Sequence, residues 1–151
     1  MNDNNLKTIV DAKEELIIVL NSNNEIIFKT NESPLSSFLK KIFIEELKEQ
    51  KLKVYANQVG IGLVELNKIL NIEFYYGTKI SIPAKKLLDE SNIKYEYKEI
   101  IDLVKSSNNS EKVCPIEEKL NSLETFNERL DFLKKRAFEK KKACSITLNR
   151  K

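Results

Sequence analysis

"VYANQVGIG", Val54–Gly62, runs from an apolar stretch into two of the three glycines in a chain of 151 residues. Val54, Tyr55 and Ala56 suit a pleated strand. Val59, Leu63, Leu66 and Leu70 then recur at helical spacing. The stretch is therefore a strand that turns into a helix, with both glycines in the helix's first turn. Strand followed by helix is the repeating unit of an α/β fold, and the flanking sequence continues it.

Upstream, LKTIVDAKEE reads as a short helix, and LIIVL (Leu16–Leu20) is an unbroken branched run suited to a strand buried on both faces. NSNNE is too short to hold a crossover helix, so EIIFKT returns as the second arm of a hairpin. Ser33 and Pro34 open the next helix, the serine as a cap and the proline at the first helical position. Leu35, Phe38, Leu39, Ile42, Phe43 and Leu47 form its apolar stripe, which EQK (49–51) closes. Downstream, IEFYYG is a fourth strand, Ser81 with Pro83 opens the helix AKKLLDES, and IKYEYK alternates like an edge strand with one face in water. KEIIDLV reads as a short helix and KSSNNSEK as a mobile loop. One last helix follows Pro115, with Ile116, Leu120, Leu123, Phe126, Leu130, Leu133 and Ala137 at spacings of three and four. The predicted architecture is a three-layer α/β/α domain around a mixed five-stranded sheet. It occupies residues 1–137, and a basic tail, 138–151, is expected to fray.

Apolar residues make up 41% of the chain, yet no apolar run approaches the roughly 18 to 20 residues of a membrane span. The start, MNDNNLK, lacks the basic region of a secretory signal, so a cytoplasmic location with no membrane partner is expected. The two cysteines are then reduced thiols. The net charge of +3 is unevenly spread: Lys134–Lys151 holds eight basic residues and one acidic, while Met1–Leu133 holds 18 basic and 22 acidic. A short basic end is the ordinary complement of a helix C-terminus, so nucleic acid is not the expected partner.

The runs ANQVGIG, IEFYYGTKISIPAKKLLDESNIKYEY and CPIEEKL together resemble the family catalogued as domain of unknown function 1893, over about residues 5–136. The order helix, hairpin, helix, strand, helix, strand, helix, strand is similar to the cytidine-deaminase-like fold. The resemblance implies a deaminase-like domain with no established reaction. Ser81, Pro83, Ala84, Cys114, Pro115 and Glu117 fit the family pattern. The family's Asp-Lys pair is replaced by Asn57 and Gln58, and its single glycine by Gly60 and Gly62.

Zinc deaminases take one His or Cys from the start of one helix and two cysteines from the next, with a glutamate two residues after the first ligand. The corresponding helix starts here are Ser33–Leu35 and Asn57–Gly62, and neither offers a ligand. With no histidine and two cysteines in the chain, three soft ligands cannot be assembled, so neither metal nor cofactor is expected.

Gly60 and Gly62 admit two readings: close packing of the helix, or approach of a ligand to its backbone. A third G-x-G-x-x-G glycine is missing, since Glu65 stands there. Cys114, just before Pro115, is either a small buried apolar group or a nucleophile eased by the helix dipole, with Glu117 as its polar companion. Tyr55, Tyr75, Tyr76, Tyr95 and Tyr97 fit sheet packing better than a base-stacking platform. Asn57 and Lys79 are expected just beyond the carboxyl ends of neighbouring strands, where open α/β sheets bind ligands. The candidate ligand-binding set is Asn57, Gln58, Gly60, Gly62, Lys79, Ser81 and Glu117, with Cys114 as candidate nucleophile. Three functions stay open: binding of a small molecule such as a nucleotide or nucleobase, an unassigned reaction using Cys114, and assembly with a second copy of the chain.

Overall fold

The computed structural model describes residues 3–45, 47, 51–106 and 109–149, with side chains omitted for residues 109–110 and from 139 onward. Helix α1 (Asp3–Asp11) leads into strands β1 (Ile17–Leu20) and β2 (Ile26–Thr30), then α2 (Pro34–Phe43) and β3 (Leu52–Val59). Two short helices, α3 (Ile61–Glu65) and α4 (Asn67–Leu70), connect to β4 (Ile72–Ser81), followed by α5 (Ile82–Ser91) and β5 (Lys94–Ile101). The chain closes with a small hairpin, β6 (Lys105–Ser106) and β7 (Asn109–Val113), and helices α6 (Pro115–Ser122) and α7 (Phe126–Asn149).

The main sheet has the order β2-β1-β3-β4-β5. β1 is antiparallel to both its neighbours, while β3, β4 and β5 are mutually parallel. The sheet is thus mixed and five-stranded, as expected. The period of two along each strand sorts the core into halves. Ile17, Val19, Val54, Ala56 and Tyr75 face the side covered by α2, α3, α5, α6 and α7. Ile18, Leu20, Tyr55 and Tyr76 face α1, which supplies Leu6 and Val10 at i,i+4 spacing. Helix, sheet and helix make the three layers.

The tyrosines on β3 and β4 pack and also tether. Tyr75 donates its hydroxyl to the Leu63 carbonyl oxygen at 2.7 Å. Tyr76 donates to Asp11 Oδ1 at 2.8 Å, and Tyr55 donates to Asp3. The two aspartates thereby pin both ends of α1 to the sheet.

Several local expectations differ from the structure. Ser33 precedes α2 in a left-handed conformation, φ 39° and ψ 62°, and makes no side-chain cap, so proline alone marks that start. α2 ends at Phe43 rather than continuing past Leu47; the rest of its predicted close, Glu49 and Gln50, lies outside the described residues. β3 and β4 are longer than expected, running to Val59 and Ser81, so Asn57 and Lys79 lie within strands rather than beyond them. KEIIDLV is not a helix, because Lys98–Ile101 extend β5 through parallel pairing with β4. Pairing beyond the local sequence overrode its periodicity. The KSSNNSEK segment contributes β6 and β7 rather than a plain loop.

The predicted last helix is two helices. Leu123 is extended, φ −90° and ψ 140°, and a capping box restarts the chain. The Thr125 amide donates to Glu128 Oε1 at 3.1 Å, and the Glu128 amide donates to Thr125 Oγ1 at 3.1 Å. The side chains of the basic tail beyond Phe138, Cys144 among them, lie outside the described residues. Among the described residues no helix is long and apolar enough to cross a membrane.

Candidate functional site

At the carboxyl ends of β3 and β4 a cavity of about 290 Å³ opens between the sheet, the start of α2, the β6 strand and the start of α6. This is the small end of the range for ligand pockets, which is roughly 300–1,000 Å³. Asn57, Gln58, Gly60, Gly62, Lys79, Cys114 and Glu117 all line it. Sequence separations of nearly sixty residues are closed by the parallel pairing of β3 with β4 and the packing of α3 on α6.

The start of α3 is decided by Glu117. This carboxylate is only 3% exposed, and its Oε1 accepts the Ile61 amide at 2.7 Å. Oε2 accepts the Val104 amide at 3.4 Å, and the buried Ser81 hydroxyl is a third partner. Burial pushes the Glu117 carboxyl above its ordinary pKa, against the pull of these hydrogen bonds from Ser81, Ile61 and Val104. An N–H group at a helix start that could greet an external anion is thus satisfied by the chain's own carboxylate.

The glycines follow from that arrangement. A Cβ on Gly60 would lie 2.6 Å from Glu117 Oε1 and 2.6 Å from Val104 Cγ2. One on Gly62 would meet Leu35 Cδ2 at 2.8 Å and Leu120 Cδ1 at 3.1 Å. Neither glycine has a positive φ. Close packing is what both positions require, although each also borders the cavity.

The substituted pair has clear partners. Asn57 is buried and donates Nδ2 to the Val10 carbonyl oxygen at 2.9 Å, capping the end of α1. Gln58 holds β6: its Nε2 donates to the Lys105 carbonyl oxygen at 3.1 Å, and its Oε1 accepts the Lys105 amide at 2.8 Å. Lys79 is partly exposed and 4.0 Å from Glu99 Oε2. Ser81 does not line the cavity. It is fully buried, caps α5 by accepting the Ala84 amide at 3.3 Å, and supports Glu117 from below. Cys114 is half-buried on the cavity wall. Its neighbour Glu117 is turned toward Ile61 and Val104.

Sequence reasoning missed Lys13, Lys105 and Arg136, which also line the cavity. Arg136 was counted with the basic end, but Leu133 and Ala137 on either side are buried, so their helical spacing fixes α7 against the body there. Glu65, by contrast, points away into the α3–α7 contact, where Arg129 Nε donates to Oε2 at 2.5 Å. The chain has no histidine, and among the described residues no three His, Cys, Asp or Glu side chains gather in one place.

These features define a three-layer α/β/α domain with a small cavity at the carboxyl edge of its parallel strands. The chain belongs to the family described as Domain of unknown function (DUF1893), which matches residues 7–137. The fold is similar to the crystal structure of a DUF1893 family protein from Thermotoga maritima, with a TM-score of 0.67 and 18% identity over 88% of this chain and 90% of that one. No curated protein matches the chain.

Proposed function

We propose that this chain is a deaminase-like domain working without zinc, and that its cavity binds a small molecule such as a nucleotide or nucleobase. The carrying observation is the position of the cavity, at the strand edge where open α/β sheets bind ligands, with Asn57, Gln58 and Lys79 on one side and Cys114 and Glu117 on the other. The order of elements around a mixed sheet supports the deaminase-like assignment, and the chemistry of the donor set supports zinc independence. Its small volume suits one compact metabolite rather than an extended polymer.

A thermal-shift screen over nucleosides, nucleotides and bases tests the proposal. A ligand at about 100 times its dissociation constant adds about 2.7 kcal/mol of stability. A flat response across the panel refutes it. A second function, chemistry at Cys114, is favoured by the thiol's place on the same wall. Selective labelling near neutral pH separates the two, because a thiol inert to reagent is not a nucleophile.

A further inference from the structure

The geometry points to a phosphate monoester as the ligand class, with the Arg136 guanidinium as its anchor. This rests on the proposal that the same cavity binds a small molecule. The charge of the wall carries the first part. Lys13, Lys79, Lys105 and Arg136 line the cavity against one lining carboxylate, Glu117, whose oxygens already accept two backbone amides, and Lys79 also lies 4.0 Å from Glu99 Oε2. This concentration stands out because residues 1–133 taken together hold 22 acidic against 18 basic side chains. A phosphate monoester, with a charge of about −1.5 to −2 at neutral pH, matches a four-cation wall better than a single carboxylate does.

The second part is an orphan donor. Arg136 Nε is buried and has no hydrogen-bond partner among the described residues. The other arginine of α7 behaves differently: Arg129 gives Nε to Glu65 and Nη1 to the Leu123 carbonyl oxygen at 3.0 Å. A guanidinium presents five donors in a fixed fork that matches phosphate oxygens two at a time, so Arg136, lining the cavity with its buried Nε unsatisfied, suits an oxyanion held by that side chain. Ser33 adds a hydroxyl on the same wall, and that hydroxyl is not used as a helix cap.

The test uses the full chain with matched pairs of nucleosides and their 5′-monophosphates, inorganic phosphate, and small dicarboxylates. Thermal shift and titration calorimetry read binding, and protection of Cys114 from a thiol reagent reports occupancy of the cavity independently. Monophosphates should bind at least tenfold tighter than their nucleosides, and Arg136→Met should remove that advantage. Arg136→Lys, which keeps the charge without the fork, should recover only part of it, and Lys13→Met at the exposed rim serves if the Arg136 variants do not fold. Nucleosides binding as well as monophosphates overturn the phosphate inference and leave the small-molecule proposal standing. Arg136-dependent binding of dicarboxylates alone overturns it too. No binding and no Cys114 protection by any probe overturns both.

Discussion

Gly60→Ala should destabilise the protein through close contacts with Glu117 and Val104, and the size of the loss can be worked from the structure. The glycine has φ −119° and ψ −174°, a conformation alanine adopts freely, so no backbone strain enters. The added methyl would stand 2.6 Å from Glu117 Oε1 and 2.6 Å from Val104 Cγ2, and Glu117 is held by the Ile61 amide at 2.7 Å. Moving the carboxylate weakens a hydrogen bond to a charged acceptor, about 1.5–3 kcal/mol. Overpacking adds about 1–3 kcal/mol. The lower unfolded-state entropy of alanine returns about 0.4–1 kcal/mol. The net is a loss of roughly 3 kcal/mol, or a fall in Tm of about 6–12 °C for a chain of this length. Thermal unfolding followed by circular dichroism measures it, and a double-mutant cycle with Glu117→Ala isolates the contact, since the cost should shrink by about 1 kcal/mol or more when the carboxylate is gone. A Gly60→Ala protein as stable as the parent would refute the view that Glu117 fills the space before α3. Gly62→Ala should cost less, because the nearest atoms there are ends of leucine side chains.

Stability should also fall as pH rises above 4.5 through the raised pKa of Glu117, because in that window the folded protein keeps a proton the unfolded chain has released. Glu117→Gln should flatten this part of a denaturation profile, and parallel profiles for the two proteins would sink the idea. Below 3.8 the sign reverses: burial alone would raise the Asp11 carboxyl, but Lys98, Thr78 and Tyr76 hold it below its ordinary value, so its contribution disappears on acidification. Asp11→Asn should weaken that acid limb. Arg129→Ala should cost about 3–5 kcal/mol by leaving the fully buried Glu65 with Lys68, at 3.4 Å, as its one cationic partner among the described residues; replacing both residues by leucine should recover much of it in chemical denaturation. Gln58→Ala removes both hydrogen bonds to the Lys105 backbone, so exchange of the Lys105 amide should speed up while amides of β4 stay protected.

The amino-acid sequence by itself determined the alternating elements. Branched runs, apolar stripes at three and four, and Ser81 with Pro83 are signals carried within a few residues, and they place all five sheet strands and α5 correctly in kind. The capping box at Thr125–Glu128 was equally local and readable, and would have divided the last helix. What the tertiary structure decided are contacts between distant segments. Parallel pairing with β4 carried β5 through a segment whose own periodicity is helical. Glu117 reaches Ile61 across 56 positions, giving Gly60 its reason and supplying an acceptor to the α3 start. Packing of α7 brings Arg136 from a basic end onto the wall of the cavity. "VYANQVGIG" spells a strand entering a helix by itself, because backbone preference is local; what fills the space before that helix depends on a carboxylate that only the folded chain delivers.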